Sequence, residues 1–456
     1  MLRLLTLILA AVLTLAAAEP PIYYLLWFDT EDFIEPASDD AALRLAAGLT
    51  SRGVRATFKI VGEKARVLEQ RGRSDVLRAL AAHDIGYHSE YHSIHPTPAE
   101  YLNGMGLLDG AAEFARREGR GFGDVQRLFG VTPSCYGQPG NSWGPQANVA
   151  LRRWGVRVYM DDGGQVGFDQ QPFWYGGLLY VFNLGPHAMR ASLNDAADLP
   201  VAQHKFDAAA ASLRQRGGGV IQTYYHPTEW AATEFWDGVN FRHGANPERQ
   251  DWKRPRLRTP ESTEQAYRLF FAFVDHVRAT PGVKIVTARE IPQYFEPRDR
   301  AAPVAVARRL ATSIDAHEGY SPADLVSSLL ALSPRHVDGP LRRATSDVVE
   351  KEIARAAFDH AKRDAAEFIA REQRLPDAVH LGARRLSLAD FAATLAGDEG
   401  GSTVAVRQGV LEIEKRIGSN AAKQYDWVIH PQGFAPEALL ELARLQAWTL
   451  KPARLR

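Results

Sequence analysis

The chain has one cysteine, Cys135, in 456 residues. A single thiol cannot form an intramolecular disulfide, so this is no disulfide scaffold and stability must come from a packed core. A lone cysteine is also safe in an oxidising compartment. Charge of one sign is missing too: 54 Lys and Arg balance 54 Asp and Glu. That balance gives no field for nucleic acid or an anionic membrane surface. Past the first residues, no apolar run is long enough to span a bilayer. There is no Gly-x-Ser-x-Gly elbow and no phosphate-cradling loop. Cys135 has no evident base partner in the sequence, which argues against a thiol nucleophile.

What is present begins with "MLRLLTLILAAVLTLAAAEPP". Arg3 gives a one-charge start, and Leu4 to Ala17 is apolar but short for a membrane span. Ala16, Ala17 and Ala18 then precede Glu19 and Pro20, a small-residue cleavage pattern. The expectation is a signal peptide over residues 1–18. The mature chain is then secreted, periplasmic or held in the cell envelope, with no stable membrane span after cleavage.

With 45% hydrophobic and 24% charged residues the chain is globular, and its length favours two domains. Between residues 19 and 300, apolar runs alternate with helix-like stretches. The runs are "IYYLLWFD", "VRATFKIVG", "IGYHS", "VRVYMDD", "LLYVFNLG", "GGGVIQTYYHP" and "GVKIVTARE". Runs of this kind, bounded by Gly, Asp or Asn, suit strands buried on both faces of a parallel sheet. More than six such units predict an α/β fold, a partial or distorted (β/α) barrel. Residues 301–456 are rich in Ala, Arg, Leu and Glu and predict a second, mainly helical accessory domain. There Ser321 and Ser387 read as helix caps, and "SDVVEKEIARAAFDHAKRDAAEFIARE" as one long amphipathic helix.

Polar residues gather at the C-terminal ends of the runs: Asp29, His88, Asp161, Asp162 and His226. In a parallel barrel those ends share the rim where chemistry is done. His88 and His92 lie four apart, a spacing that on a helical turn brings both imidazoles to one metal ion. "WFDTEDF" adds Asp29, Glu31 and Asp32. Two imidazoles and one carboxylate leave coordination positions open, as a catalytic metal requires. A second carboxylate stays free as a general base, and His226 can face the site as a general acid. His95 reads as a structural support for the turn. His380 and His430, without partners at ligand spacing, read as ordinary core or surface residues.

At these residues the chain resembles the polysaccharide deacetylases, also called the NodB-homology or carbohydrate esterase family 4 deacetylases. Phe28-Asp29-Thr30-Glu31-Asp32 matches the family's first motif loosely. His88-Ser89-Glu90-Tyr91-His92 fits the second fully, and Pro139-Gly140 in "CYGQPGNSW" matches part of the third. His226 fits the last motif. The resemblance covers residues 21 to 297. It implies metal-dependent N-deacetylation of an N-acetylated polysaccharide or oligosaccharide. It implies a divalent metal, commonly zinc, held by His88, His92 and a carboxylate from Glu31 or Asp32. Asp29 would be the base toward water and His226 the acid toward the leaving amine, with the Tyr136 backbone N–H helping at the oxyanion. The family's third-motif arginine is absent, since Gly137 stands in its slot. Either Lys59, Arg152 or Arg153 supplies a cation, or Asp29 rises in pKa and activity is weak.

Trp143, Trp174, Tyr175, Trp230 and Trp236 fall after strands and are candidate sugar platforms, with Pro139 beside them; each equally suits a core. Asp161 and Asp162 either orient His226 or form a solvated acidic turn. Two alternatives to the deacetylase stand: a carbohydrate-binding pseudo-enzyme with impaired catalysis, and a metal-dependent amidase on a non-sugar amide.

Overall fold

The computed structural model describes residues 19–161, 164–418 and 425–456. The expected signal peptide and Asp162 lie outside the described residues. No described helix is long and apolar enough to cross a membrane.

Ten strands come from the first 300 residues: β1 (Ile22–Thr30), β2 (Thr57–Ile60), β3 (Asp84–Tyr87), β4 (Cys135–Tyr136), β5 (Val158–Tyr159), β6 (Phe173–Tyr175), β7 (Leu178–Tyr180), β8 (Ala188–Met189), β9 (Gly219–Tyr225) and β10 (Val283–Val286). Five more follow: β11 (Glu352–Ala354), β12 (Ala378–Leu381), β13 (Arg384–Ser387), β14 (Thr403–Ala405) and β15 (Lys451–Pro452). One sheet runs β15-β6-β7-β5-β4-β3-β2-β1-β9-β8, with β10 also on β1. Its pairings are parallel except those of β6 with β7 and β15. β1 is its hub. One edge pairs with β9 along Ile22 to Phe28, while the other is shared, Ile22–Leu25 with β10 and Trp27–Thr30 with β2. Among the described residues, strands β8 and β15 end the sheet without meeting each other, so the barrel is incomplete.

The period of two along a strand explains how the sheet is filled. Even positions of β1 (Ile22, Tyr24, Leu26, Phe28) join the outer core beneath the helices. Odd positions (Leu25, Trp27) join the interior core with Cys135, Val158, Leu179 and Val220. Both faces are buried, hence the near-continuous apolar runs. Each fully buried Phe or Leu of this kind stabilises the fold by about 1.5–3 kcal/mol relative to exposure. Asp29 is the next odd position after Trp27, so the same parity carries it inward at the strand end. Lys59 is its register partner on β2 and is inward as well.

The C-terminal third is mainly helical, with Pro322–Leu329, Arg355–Glu372, Leu388–Ala396 and Glu437–Gln446, plus the pairs β11/β14 and β12/β13. Ser321 and Ser387 accept the N–H groups of Asp324 and Asp390 as caps. The long helix expected from Ser346 begins only at Arg355. Glu352–Ala354 is drawn out to pair with Thr403–Ala405, an extended course that β-branched Ile353 favours. Residues 302–396, joined by Val404 and Trp448, form two core clusters apart from the barrel's. By contrast Ile413, Ile417, Tyr425, Leu439, Leu440 and Leu450 pack into the outer core of the barrel, and β15 extends its sheet.

Candidate active site

The strand ends meet at a cavity of about 850 Å³ lined by Asp29, Glu31, His88, His92, Asp161 and His226 among others. Glu31 is one turn of the period beyond Asp29 and points the same way. Its Oε2 lies 3.2 Å from His88 Nε2 and 2.9 Å from His92 Nε2. Its Oε1 accepts the Trp236 indole N–H at 3.2 Å. The far ring nitrogens are held by His88 Nδ1 on the Gly137 carbonyl at 2.8 Å and His92 Nδ1 on Ser93 Oγ at 2.6 Å. Anchoring Nδ1 in this way aims Nε2 at the cavity, the usual dressing of a metal-binding imidazole.

The two histidines do not converge through a helical turn, as their spacing suggested. Residues 88–92 form a loop in which Ser89 (φ 71°) and His92 (φ 58°) are left-handed. Ser89 Oγ accepts the His92 N–H at 3.0 Å and closes the loop. His95 turns away to Glu100 at 2.8 Å, where Glu100 also caps the short helix Pro98–Leu102.

Among the described residues, two donor sets have the proximity for a cation: Glu31, His88, His92 and Asp29, His88, Asp161. The second is already served. Lys59 Nζ lies 2.8 Å from Asp29 Oδ1 and 3.5 Å from Asp161 Oδ2, with the lysine fully buried. A fixed ammonium between two carboxylates repels a second cation there. The Glu31 set, borderline nitrogen and hard oxygen donors in a buried pocket, fits a divalent metal.

Asp32, the other carboxylate considered as a ligand, belongs to the turn. Its Oδ1 accepts the N–H groups of Ile34 and Glu35 at 3.0 and 2.9 Å, and Oδ2 accepts the Thr228 hydroxyl at 2.9 Å. Burial pushes its pKa up to about 6 against those bonds and Lys64. Even parity turns it to the opposite side of the strand from Asp29 and Glu31.

Asp29 is the free carboxylate. Besides Lys59 it faces His88 Nε2 at 3.4 Å and His226 Nε2 at 3.7 Å. Burial alone would raise its pKa, but His88, Lys59 and His226 outweigh it and hold it below the usual carboxylate range. Glu31 is held well below for the same reason, with His92 and His226 against its burial. The cation at Asp29 therefore comes from β2. Arg152 is instead engaged with Asp338 at 2.7 Å, and Arg153 is not among the cavity residues. Gly137 makes room: a Cβ there would sit 2.1 Å from Lys59 Nζ. A single lysine in the apolar run "TFKI" was the signal for it.

His226 Nδ1 is 2.7 Å from Glu229 Oε1, which also accepts the His226 N–H at 2.9 Å. Arg190 holds the same oxygen at 2.9 Å. Burial lowers the imidazole pKa, but Glu31, Glu229 and Asp29 carry it up to about 9, so it is protonated at neutral pH. Glu229, three residues on in "HPTE", holds this imidazole, a contact that the strand-end pattern does not indicate. Asp161 reaches about pH 7 because burial and Asp29 outweigh Lys59.

The expected sugar platforms do not reach the cavity. Trp143 and Trp230 are buried in the outer core, Trp174 and Tyr175 lie in β6, and Trp236 is buried behind Glu31. Tyr136 has its ring in the outer core, and neither it nor Pro139 lines the cavity; Gly140 and Asn141 do. A position after a strand does not distinguish a loop facing out from one folded under. Cys135 is buried in the interior core, and burial raises its thiol pKa, so it is inert.

Neither a family model nor a curated protein sequence matches the chain. Solved structures similar to it include a Mycobacterium smegmatis protein named as a polysaccharide deacetylase, at 16% identity and TM-score 0.40, covering 62% of this chain and 95% of that one. A family 4 carbohydrate esterase from Streptomyces lividans matches at 13% identity and TM-score 0.30, covering 58% and 91%. A 4-α-glucanotransferase from Thermococcus litoralis matches at 13% identity and TM-score 0.41, covering 61% of this chain and 41% of that one.

Proposed function

We propose that the barrel is a metal-dependent hydrolase that removes acetyl groups from the amino sugars of an extracellular or cell-wall polysaccharide. The observation that carries this reading is the meeting of Asp29, Glu31, His88, His92 and His226, from three strand ends, around one cavity. Glu31, His88 and His92 would hold the metal, zinc by the composition of the donor set. Such an ion supplies Lewis acidity toward water and toward an amide carbonyl.

The chain's own groups handle the protons. Asp29 Oδ2, ionised and without a hydrogen bond, takes a proton from water as its oxygen bonds to the acetamide carbon. Lys59, itself paired with Asp161, keeps that carboxylate from rotating away. His226 Nε2, across from Asp29, gives its proton to the amide nitrogen as the C–N bond breaks, leaving acetate and the free amine. Glu229 holds the imidazole in the orientation for that transfer.

The test is direct. The mature chain is purified, its bound metal is measured, and acetate release is followed on chitin oligomers and peptidoglycan. The expected result is about one equivalent of metal and acetate release, both lost in His88→Ala. Stoichiometric metal with no acetate from any N-acetylated saccharide would overturn the reading.

A further inference from the structure

The cavity has a wall that the barrel does not make. Tyr425–His430, more than 120 residues beyond the last barrel strand β10, crosses the rim and places Trp427 and Val428 in the cavity lining. The segment is tied to two rim loops. The His243 and Gly244 N–H groups donate to the Val428 and Ile429 carbonyls at 2.9 and 2.8 Å. Asn141 Nδ2 donates to the Asp426 carbonyl at 3.2 Å, and the Tyr425 hydroxyl donates to the Trp143 carbonyl at 3.2 Å.

Among the described residues, Trp427 is the one tryptophan that lines the cavity. Its ring is half-buried and stands edge-on to the metal-site ring of His92, with centroids 5.5 Å apart at 86°. His430 meets it from the other part of the segment at 5.3 Å and 86°. Gly140, left-handed at φ 48°, lies so close that a Cβ there would be 2.2 Å from the indole. The indole is thus fixed before any ligand arrives, next to the metal site rather than over the acid. On the acid side stands another exposed ring, Phe235, edge-on to His226 at 4.9 Å and 89°.

We infer that Trp427 is the stacking platform for a sugar unit adjacent to the one that is deacetylated, so that the C-terminal segment sets the preference for oligomers over single sugars. The inference rests on the deacetylase reading. Flat indole surface offers the C–H face of a pyranose ring a contact without a matched set of hydrogen bonds, and a rigid ring adds little ordering cost. The buried tryptophans of the barrel cannot take this role.

The experiment compares kcat and KM for N-acetylglucosamine oligomers of one to five units in the metal-loaded wild type, Trp427→Ala and Trp427→Phe. For Trp427→Ala, the KM for the pentamer should rise about tenfold, the size of one lost aromatic contact, with a much smaller change in kcat. The effect should shrink as the oligomer shortens, and Trp427→Phe should recover most of it. A loss of equal size at every length, or no loss at any, would overturn the inference. Binding of the same oligomers to the metal-free chain, followed by calorimetry, separates this outcome from failure of the deacetylase reading. Trp427-dependent binding without acetate release sinks only the latter; acetate release without Trp427 dependence sinks only the former.

Discussion

Asp29 and Asp32 lie three residues apart at the end of one strand, and each is 1% exposed. Asp32 has both carboxylate oxygens engaged by two backbone N–H groups and a hydroxyl, and its pKa is raised. Asp29 faces a lysine ammonium at Oδ1 and two imidazoles, has no hydrogen bond on Oδ2, and has its pKa lowered. Burial alone therefore does not mark the reactive acid. The difference lies in what satisfies it: saturated lone pairs build a turn, whereas a carboxylate balanced only by charge keeps an oxygen free for a proton. Strand parity decides which acid receives which environment.

The sharpest way to break this contrast is to remove one member of each set in the rim. His88→Ala should abolish metal binding and turnover together. Asp29→Asn should leave metal content intact and lower kcat by about a thousandfold, the scale of a lost general base. These are read by metal analysis and acetate release. If Asp29→Asn emptied the site of metal, the cation would belong to the Asp29, His88, Asp161 group and the assignment to Glu31 would fall.

Lys59→Met comes next. It leaves Asp29 buried beside Asp161 with no ammonium between them. Removing one partner of a buried pair costs about 3–5 kcal/mol, so the melting temperature should drop by many degrees. Where the protein still folds, kcat should fall by more than KM changes. Gly137 is the matching position, because the space it leaves is occupied by the ammonium. Gly137→Ala should therefore give the same signature in milder form. Unchanged kcat in folded Lys59→Met would remove the lysine from the base.

Asp32→Ala should do the reverse of Asp29→Asn. It frees two N–H groups and a hydroxyl, a loss of about 1–3 kcal/mol visible in denaturant unfolding. Metal content should stay at the wild-type level, and kcat should change by less than a factor of three. Asp32→Asn keeps an acceptor for the turn and should lie between wild type and Asp32→Ala.

How far the sequence alone carries this contrast can be traced residue by residue. Strands β1, β2 and β9 were legible because their apolar runs end in Asp29, Gly62 and His226. The choice of Glu31 over Asp32 was also within reach, since Asp29 and Glu31 share odd parity with inward Trp27 while Asp32 does not. Strands β4, β5 and β8, at two residues each, are too short to show any period. The origin of the cation at Asp29 depended on the β1/β2 register, which pairs Asp29 with Lys59 and no motif states. The indoles failed because Trp143 and Trp230 follow strands yet fold beneath the rim. Trp427 carries no local pattern at all; it reaches the cavity through long-range contacts of a segment outside the barrel.

The smallest effect concerns the acid. In the metal-free protein His226 is raised from 6.5 to about 9, first against burial by Glu31 and then by Glu229. A folded value above the unfolded one means that the proton stabilises the fold. That contribution is complete below pH 6.5 and is lost as the pH rises through about 9. In the proposed deacetylation the same proton goes to the leaving amine, so kcat/KM should fall on the basic side. With a dication bound nearby the limb should lie below pH 9, since positive charge favours the neutral imidazole. Glu229→Gln removes one of the supporting charges but keeps a hydrogen-bond acceptor for Nδ1. It should move the limb to lower pH by a unit or less and leave the plateau within a few-fold of wild type. A limb that does not move while the plateau collapses would mean that Glu229 acts only by holding the loop, and that another group protonates the amine.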